Sequence, residues 1–295
     1  MKPLALAALG AMMAVTGCVH RGPTVPSHPH YVIGDGYQAN GAWFYPREDY
    51  GYDRTGLAVV YGDDAPQVTT DGEAYDPGAL TGASQTLQLP CIVQVTDLQT
   101  GRQILLRVND RGPADPGRIL AVTPRAAQLL GIPRGGAAEV RVTIQKDASQ
   151  ALADSLGGGI KIAAAPVGTF QAESLAPPPG VTATGGAGLG QTDRSKSGTL
   201  TETVPPLRLP EQVTQLPPSP GAVYIQSGSF GRRYDAFRQA AALSGLPNAH
   251  VIAITGGGRM LYGVQSGPYD TVPQADAALS SSLAAGAVDA TIIVQ

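Results

Sequence analysis

The sequence predicts a multidomain chain. A small, mostly β barrel is joined by a long disordered linker to an α+β, ferredoxin-like domain of βαββαβ order. Three observations predict it. Residues 53–146 hold short apolar runs separated by turn residues, with one helical segment among them. Residues 220–295 alternate strand-type and helix-type patterns. Residues 147–219 are rich in Ala, Gly, Pro, Thr and Ser and poor in aromatics, so they cannot bury enough apolar surface to offset chain entropy. As a flexible coil that linker would span roughly 45 Å and let two modules engage separate points on one polymer.

Composition agrees. With 38 Gly and 25 Pro in 295 residues, one compact core is excluded. The 20 basic residues face 23 acidic ones, which gives no electrostatic case for nucleic acid. Cys18 and Cys91 are the only cysteines, so a disulfide framework is not expected. Cys91 falls on an apolar strand face and reads as a small core residue.

Residues 1–17 carry one positive charge at Lys2 and an apolar run from Leu4 to Val15, a secretory signal too short to stay as a spanning helix. The segment ends Val15-Thr16-Gly17-Cys18, which resembles a bacterial lipobox. That resemblance implies a lipidated Cys18 as first residue of the mature chain, anchored in the membrane by acyl groups. Val19 follows, which in lipoproteins implies an outer-membrane, periplasm-facing destination. Residues 18–52 read as a Pro-, Gly- and Tyr-rich tether, with His28 and His30 as tether residues and not a metal site.

The barrel segment is organised around Arg107-Val108-Asn109-Asp110-Arg111-Gly112-Pro113. An apolar strand, Ile104 to Val108, runs into Asn109 and Asp110 and stops at Gly-Pro. Such placement fixes a carboxylate at a strand end, as proton transfer over hydrogen-bond distances requires, although a solvated turn Asp fits the same residues. Leu57 to Tyr61, Cys91 to Asp97 and Ala138 to Ile144 read as further strands. Thr123 to Gly131 reads as a helix, capped by Thr123, started by Pro124 and ended by Gly131.

These motifs resemble the rare lipoprotein A (RlpA) family, whose fold is a double-psi β-barrel. The resemblance rests on Gly56-Leu57-Ala58-Val59-Val60-Tyr61-Gly62, Thr70-Asp71-Gly72-Glu73-Ala74-Tyr75-Asp76, the Asn109-Asp110 heptad and the Ala126-Ala127 to Leu130-Gly131 helix, in that order. It implies a lytic transglycosylase that cleaves MurNAc–GlcNAc bonds of glycan strands lacking stem peptides and leaves 1,6-anhydro ends. On that reading Asp110 is the catalytic acid and then base, with Glu73 a second carboxylate that raises its pKa or stabilises oxocarbenium character. Tyr61, Ser84 and Asn109 are candidate substrate contacts. Val59 and Val60 replace the family's Ser and Trp, and two further departures count against activity: its histidine is Ser84, and the acidic residue before the helix is Ala121. With no metal-ligand cluster, phosphate loop or Ser-His-Asp set, no cofactor or metal is expected.

In the second domain, Tyr224 to Phe230 and Leu261 to Tyr269 resemble a SPOR domain, which implies binding of denuded glycan at division septa through the open sheet face. Gln226, Ser229 and Tyr262 are candidate sugar contacts, with Gly263 where an arginine is often found. The first helix is expected to bury Phe237, Ala240, Ala241 and Leu243. Expected partners are naked glycan strands, the membrane through Cys18 and divisome proteins. Retention of Glu73 and Asp110 favours an enzyme. Ser84 and Ala121 favour a catalytically silent glycan-binding lipoprotein or an expansin-like wall-loosening module.

Overall fold

A computed structural model describes residues 25–62, 65–158, 208–256 and 259–295. The signal segment, Cys18 and the middle of the linker lie outside the described residues.

The tether contains a hairpin that the sequence reading missed. β1 (Tyr37–Ala39) pairs antiparallel with β2 (Ala42–Phe44) across Asn40-Gly41. Both turn residues have positive φ, 45° and 82°, the geometry that an Asn-Gly pair supplies at least strain. Ala42 and Phe44 face inward while Trp43 and Tyr45 stay exposed. The same lead-in joins the barrel where Val32 and Leu89 exchange backbone hydrogen bonds.

Six strands close the barrel: β3 (Asp53–Val60), β4 (Thr81–Ser84), β5 (Cys91–Asp97), β6 (Arg102–Asp110), β7 (Leu120–Val122) and β8 (Ala137–Ile144). They run in the order β4-β7-β3-β8-β5-β6, and a parallel β4–β6 pairing completes the circle. Alternate residues such as Val93, Val95, Leu106, Val108, Val140 and Val142 fill the interior, and Cys91 is fully buried among them. α1 (Pro124–Leu130) starts at Thr123, whose side chain accepts from the Ala126 N–H, and ends at Gly131 with φ 88°.

The flanks of the linker are more ordered than composition suggests. α2 (Lys146–Ser155) docks on β5: the Ser149 hydroxyl accepts from the Ile92 N–H at 2.9 Å and donates to its carbonyl at 3.0 Å. Its buried stripe is Ser149 and Ala153, too small to register as an apolar face in the sequence. Past the undescribed stretch, β9 (Thr214–Gln215) pairs with β6 at Gln103 and Arg102.

The second domain comprises β10 (Val223–Phe230), α3 (Arg233–Ala242), β11 (His250–Gly256), β12 (Arg259–Tyr269), α4 (Val272–Ala284) and β13 (Ala290–Val294). Its antiparallel sheet runs β11-β12-β10-β13. The buried face of α3 differs from the expected one. Ala236, Ala240 and Leu243, spaced i, i+4, i+7, turn inward, while Ala241 is exposed and Phe237 is 49% exposed. The Phe237 ring is instead covered by the Arg233 guanidinium, 5.1 Å from its centroid.

The two domains touch. Leu57 of β3 is buried within the second domain's core beside residues such as Val223 and Ile292. Arg118 grips Asp276 of α4 with both terminal nitrogens, at 2.7 and 2.8 Å.

Candidate active site

Asp110 ends β6 and is almost fully buried. Its Oδ1 accepts from the Thr70 N–H at 2.9 Å, the Thr70 hydroxyl at 2.6 Å and the Arg111 N–H at 2.9 Å. Its Oδ2 accepts from the Tyr61 hydroxyl at 3.0 Å. Burial, and then the charge of Asp110, push the Tyr61 pKa up, so Tyr61 remains a donor. With Oδ1 held by three donors, Oδ2 is the oxygen left to exchange a proton with a ligand. Asp110 and Tyr61 line a groove of about 540 Å³ with Thr70, Ala83, Gly112 and Ala121. Tyr61 is fixed in turn by an edge-on contact with Tyr75, 5.3 Å between ring centroids.

Glu73 does not meet Asp110. It is buried and paired with Arg107, and its Oε2 accepts from Asn109 Nδ2 at 2.7 Å. Consecutive strand residues point to opposite faces, so Asn109 and Arg107 carry this cluster away from the face that Asp110 uses. Glu73 therefore holds the turn before it in place against β6, and Asn109 takes part in that anchorage and not in the groove. The expectation of a second carboxylate at Asp110 is corrected accordingly.

The turn itself is built tightly. Asp71 N–H donates to the Asn109 carbonyl at 3.2 Å, and the Asp71 carboxylate accepts from the Thr69 hydroxyl at 2.7 Å and the Glu73 N–H at 3.1 Å. Gly72 sits at φ +88°, and a Cβ there would lie 2.4 Å from the carbonyl of His28. That tether residue and His30 donate backbone N–H bonds to Gly72 and Asp71, both at 2.8 Å. The tether thus clamps the turn that aims Thr70 at Asp110. Asp71 is the carboxylate that sequence reasoning passed over. Burial, then the charge of Glu73, push its pKa up to about 6, and its Oδ2 is buried with no partner among the described residues.

Arg111 turns away from Asp110, as strand alternation predicts. Its guanidinium donates to the carbonyls of Ser84, Leu87 and Ile33, tying β4 to the tether. Ser84 is buried on β4, and it is its neighbour Ala83 that lines the Asp110 groove. Ser84 lines a second cleft of about 430 Å³, together with Ser229 of the second domain. Gln226 is half-buried opposite Gln265, and Tyr262 lies opposite Phe230, so these two candidate contacts are not cross-strand partners. Thr70 and Arg107 each open one of the motifs, but no role could be read for either from the sequence. Their roles come from the closure of the barrel.

Residues 53–142 match the lytic transglycolase double-psi barrel family model, and residues 219–293 match the SPOR domain model. The chain is 34% identical over 117 residues to the endolytic peptidoglycan transglycosylase RlpA of Rickettsia bellii, covering 38% of this chain and 52% of that one. It is 41% identical over 109 residues to that of Yersinia pestis (36% and 30%) and 38% identical over 128 residues to that of Pseudomonas aeruginosa PAO1 (42% and 37%). The matched region thus spans about half or less of these relatives. The crystal structure of the RlpA SPOR domain from Pseudomonas aeruginosa aligns with 25% of this chain and 99% of its own, at 21% identity and a TM-score of 0.23. The chain is thus similar, over these two stretches, to a lytic transglycolase barrel and to a SPOR domain, and the relatives above that match its barrel bear the RlpA name.

Proposed function

We propose that this chain is an endolytic peptidoglycan transglycosylase acting on glycan strands without stem peptides. The observation that carries the reading is the Asp110 carboxylate at a groove, with Oδ1 held by Thr70 and Oδ2 bonded only by the Tyr61 hydroxyl. In the reaction, protonated Asp110 Oδ2 delivers its proton to the oxygen linking MurNAc to GlcNAc. The bond from that oxygen to the muramyl anomeric carbon breaks, and charge builds on the ring. The muramyl 6-hydroxyl then attacks the anomeric carbon and returns its proton to Oδ2. The products are a 1,6-anhydro end and a free GlcNAc hydroxyl. No water enters, so no second carboxylate is needed to activate one, unlike an inverting hydrolase. This accords with Glu73 being occupied by Arg107. Asp110 is the catalytic residue of this reading; Glu73, Asn109 and Asp71 are positioning residues.

The SPOR domain supports a septal, cell-envelope placement, and an acylated Cys18 would anchor the chain to the outer membrane facing the periplasm. A silent glycan-binding role is the competing reading. It is favoured by Ala83 and Ala121 lining the groove, with Ser84 turned away where the family carries histidine. Incubation with denuded and with intact sacculi, scored by mass spectrometry for new 1,6-anhydro ends, separates the two. Anhydro ends from denuded glycan, lost in Asp110→Asn, support the enzyme. Co-sedimentation without products leaves the binding protein.

A further inference from the structure

The second cleft lies on the far side of a ridge from Asp110. Along β4, Ala83 faces the groove and Ser84 the cleft, and in the loop after Asp110, Pro113 lines the groove and Pro116 the cleft. Gln85 braces this ridge by donating to the carbonyls of Pro113 at 2.9 Å and Asp115 at 2.8 Å. Three residues of chain span at most roughly 11 Å, so the two cavities are near neighbours.

One wall of the cleft is the hairpin that precedes the barrel. Trp43 and Tyr45, 47% and 60% exposed, lie stacked with ring centroids 6.2 Å apart and planes 16° from parallel. Strand alternation places both on one face of the β2 edge, and Tyr45 packs over Gly36, which steadies the pair. Exposing two large aromatics costs hydration free energy that the hairpin core does not need, since Ala42 and Phe44 supply its buried face. The opposite wall comes from the SPOR domain, where Ser229, Asp289 and Thr291 set polar groups among the apolar Val288, Ala290 and Ile292. A flat electron-rich ring face opposed by hydroxyl groups matches a pyranose: its axial C–H bonds carry partial positive charge toward the ring quadrupole, and its hydroxyls need polar partners.

Resting on the proposed glycan-cleaving activity, we propose that this interdomain cleft is a distal glycan subsite, in which a sugar stacks on Trp43. A strand threaded through the Asp110 groove continues over the Ala83–Ser84 ridge and is held by tether, barrel and SPOR domain at once. The SPOR domain then grips the strand being cleaved, in place of a separate strand reached through the linker.

Trp43 is the sole tryptophan of the chain, so tryptophan emission, excited selectively over the tyrosines, reports on this cleft alone. The detergent-solubilised full chain carrying Asp110→Asn is titrated with a soluble GlcNAc–MurNAc oligosaccharide lacking stem peptides. Saturable change in Trp43 emission is expected. Binding measured by calorimetry should weaken about tenfold in Trp43→Ala and stay within about twofold in Trp43→Phe, with melting temperatures as controls. Unchanged emission at saturating oligosaccharide, absence of binding, or equal affinity in Trp43→Ala overturns the subsite. An emission response from a wild-type chain that forms no anhydro ends sinks the transglycosylase reading and leaves the subsite standing.

Discussion

Thr70 holds Asp110 twice, its backbone N–H and its hydroxyl both ending on the same carboxylate oxygen, Oδ1. The two bonds come from a turn that is itself fastened to β6 by Asp71 and Glu73 and overlaid by the tether at His28. Orientation of the Asp110 carboxyl group is thus inherited from contacts outside the groove. A hydroxyl bond to a carboxyl group contributes roughly 1–3 kcal/mol, most when the carboxyl is ionised. Thr70→Val keeps the side-chain shape and the backbone bond but removes the hydroxyl. Anhydro-product formation on denuded glycan is expected to slow about 10- to 100-fold in kcat, with KM little changed. Steady-state kinetics on solubilised denuded strands provide the check. A KM effect with intact kcat would place Thr70 in binding instead.

Glu73 separates positioning from chemistry. Its partner Arg107 is as buried as Glu73 itself, so removing one charge leaves the other uncompensated. Glu73→Gln is expected to lower unfolding free energy by about 3 kcal/mol in urea titrations. Per folded molecule, activity at low temperature should fall far less than in Asp110→Asn. Unaltered stability with abolished turnover would restore Glu73 as a reacting group.

Asp71 gives the site a pH signature. Its carboxyl is raised to about 6 in the folded chain, against about 3.9 when unfolded. Between those values the folded state binds more protons than the unfolded one, so stability is fullest below about pH 4 and declines as pH rises toward 6. The decline amounts to about 2–3 kcal/mol from this group. Asp71→Asn, which cannot titrate, should remove this contribution. Urea unfolding of both chains at intervals from pH 4 to 7 reads the difference in slope, and parallel curves would refute the assignment.

The barrel and the SPOR domain were legible because their signals are local. Thr123-Pro124 and Gly131 punctuate a helix, and alternation marks β5 and β8. Asp110 was legible for the same reason, being fixed by the end of its own strand. Glu73 was misread because its partners Arg107 and Asn109 arrive from a strand 34 and 36 residues away, and only barrel closure decides which face they share. The β1–β2 hairpin did leave a signal, Asn40-Gly41, that a composition-level reading of the tether smoothed over. α2 left almost none, since its buried residues are a serine and an alanine. Docking of the two domains through Leu57 has no sequence signature at all, because an apolar residue on an apolar strand looks the same whichever core receives it.

That docking makes a last prediction. Leu57 belongs to a barrel strand but is fully buried in the core cluster of the second domain, and the nearby Arg118–Asp276 pair is bidentate. The ion pair is partly exposed on the Asp276 side, so solvent screening leaves it about 1 kcal/mol at most. Burial of the leucine contributes more, since truncation to alanine in a packed site costs roughly 2–5 kcal/mol. Leu57→Ala combined with Asp276→Ala is therefore expected to uncouple the domains while each keeps its own core. Scanning calorimetry should resolve two unfolding transitions in the double variant where the parent chain gives one. Asp276→Ala alone should shift the parent transition only slightly. A single unchanged transition in the double variant would mean that the interface contributes nothing to cooperativity. Loss of the barrel transition would mean that Leu57 serves the barrel core instead.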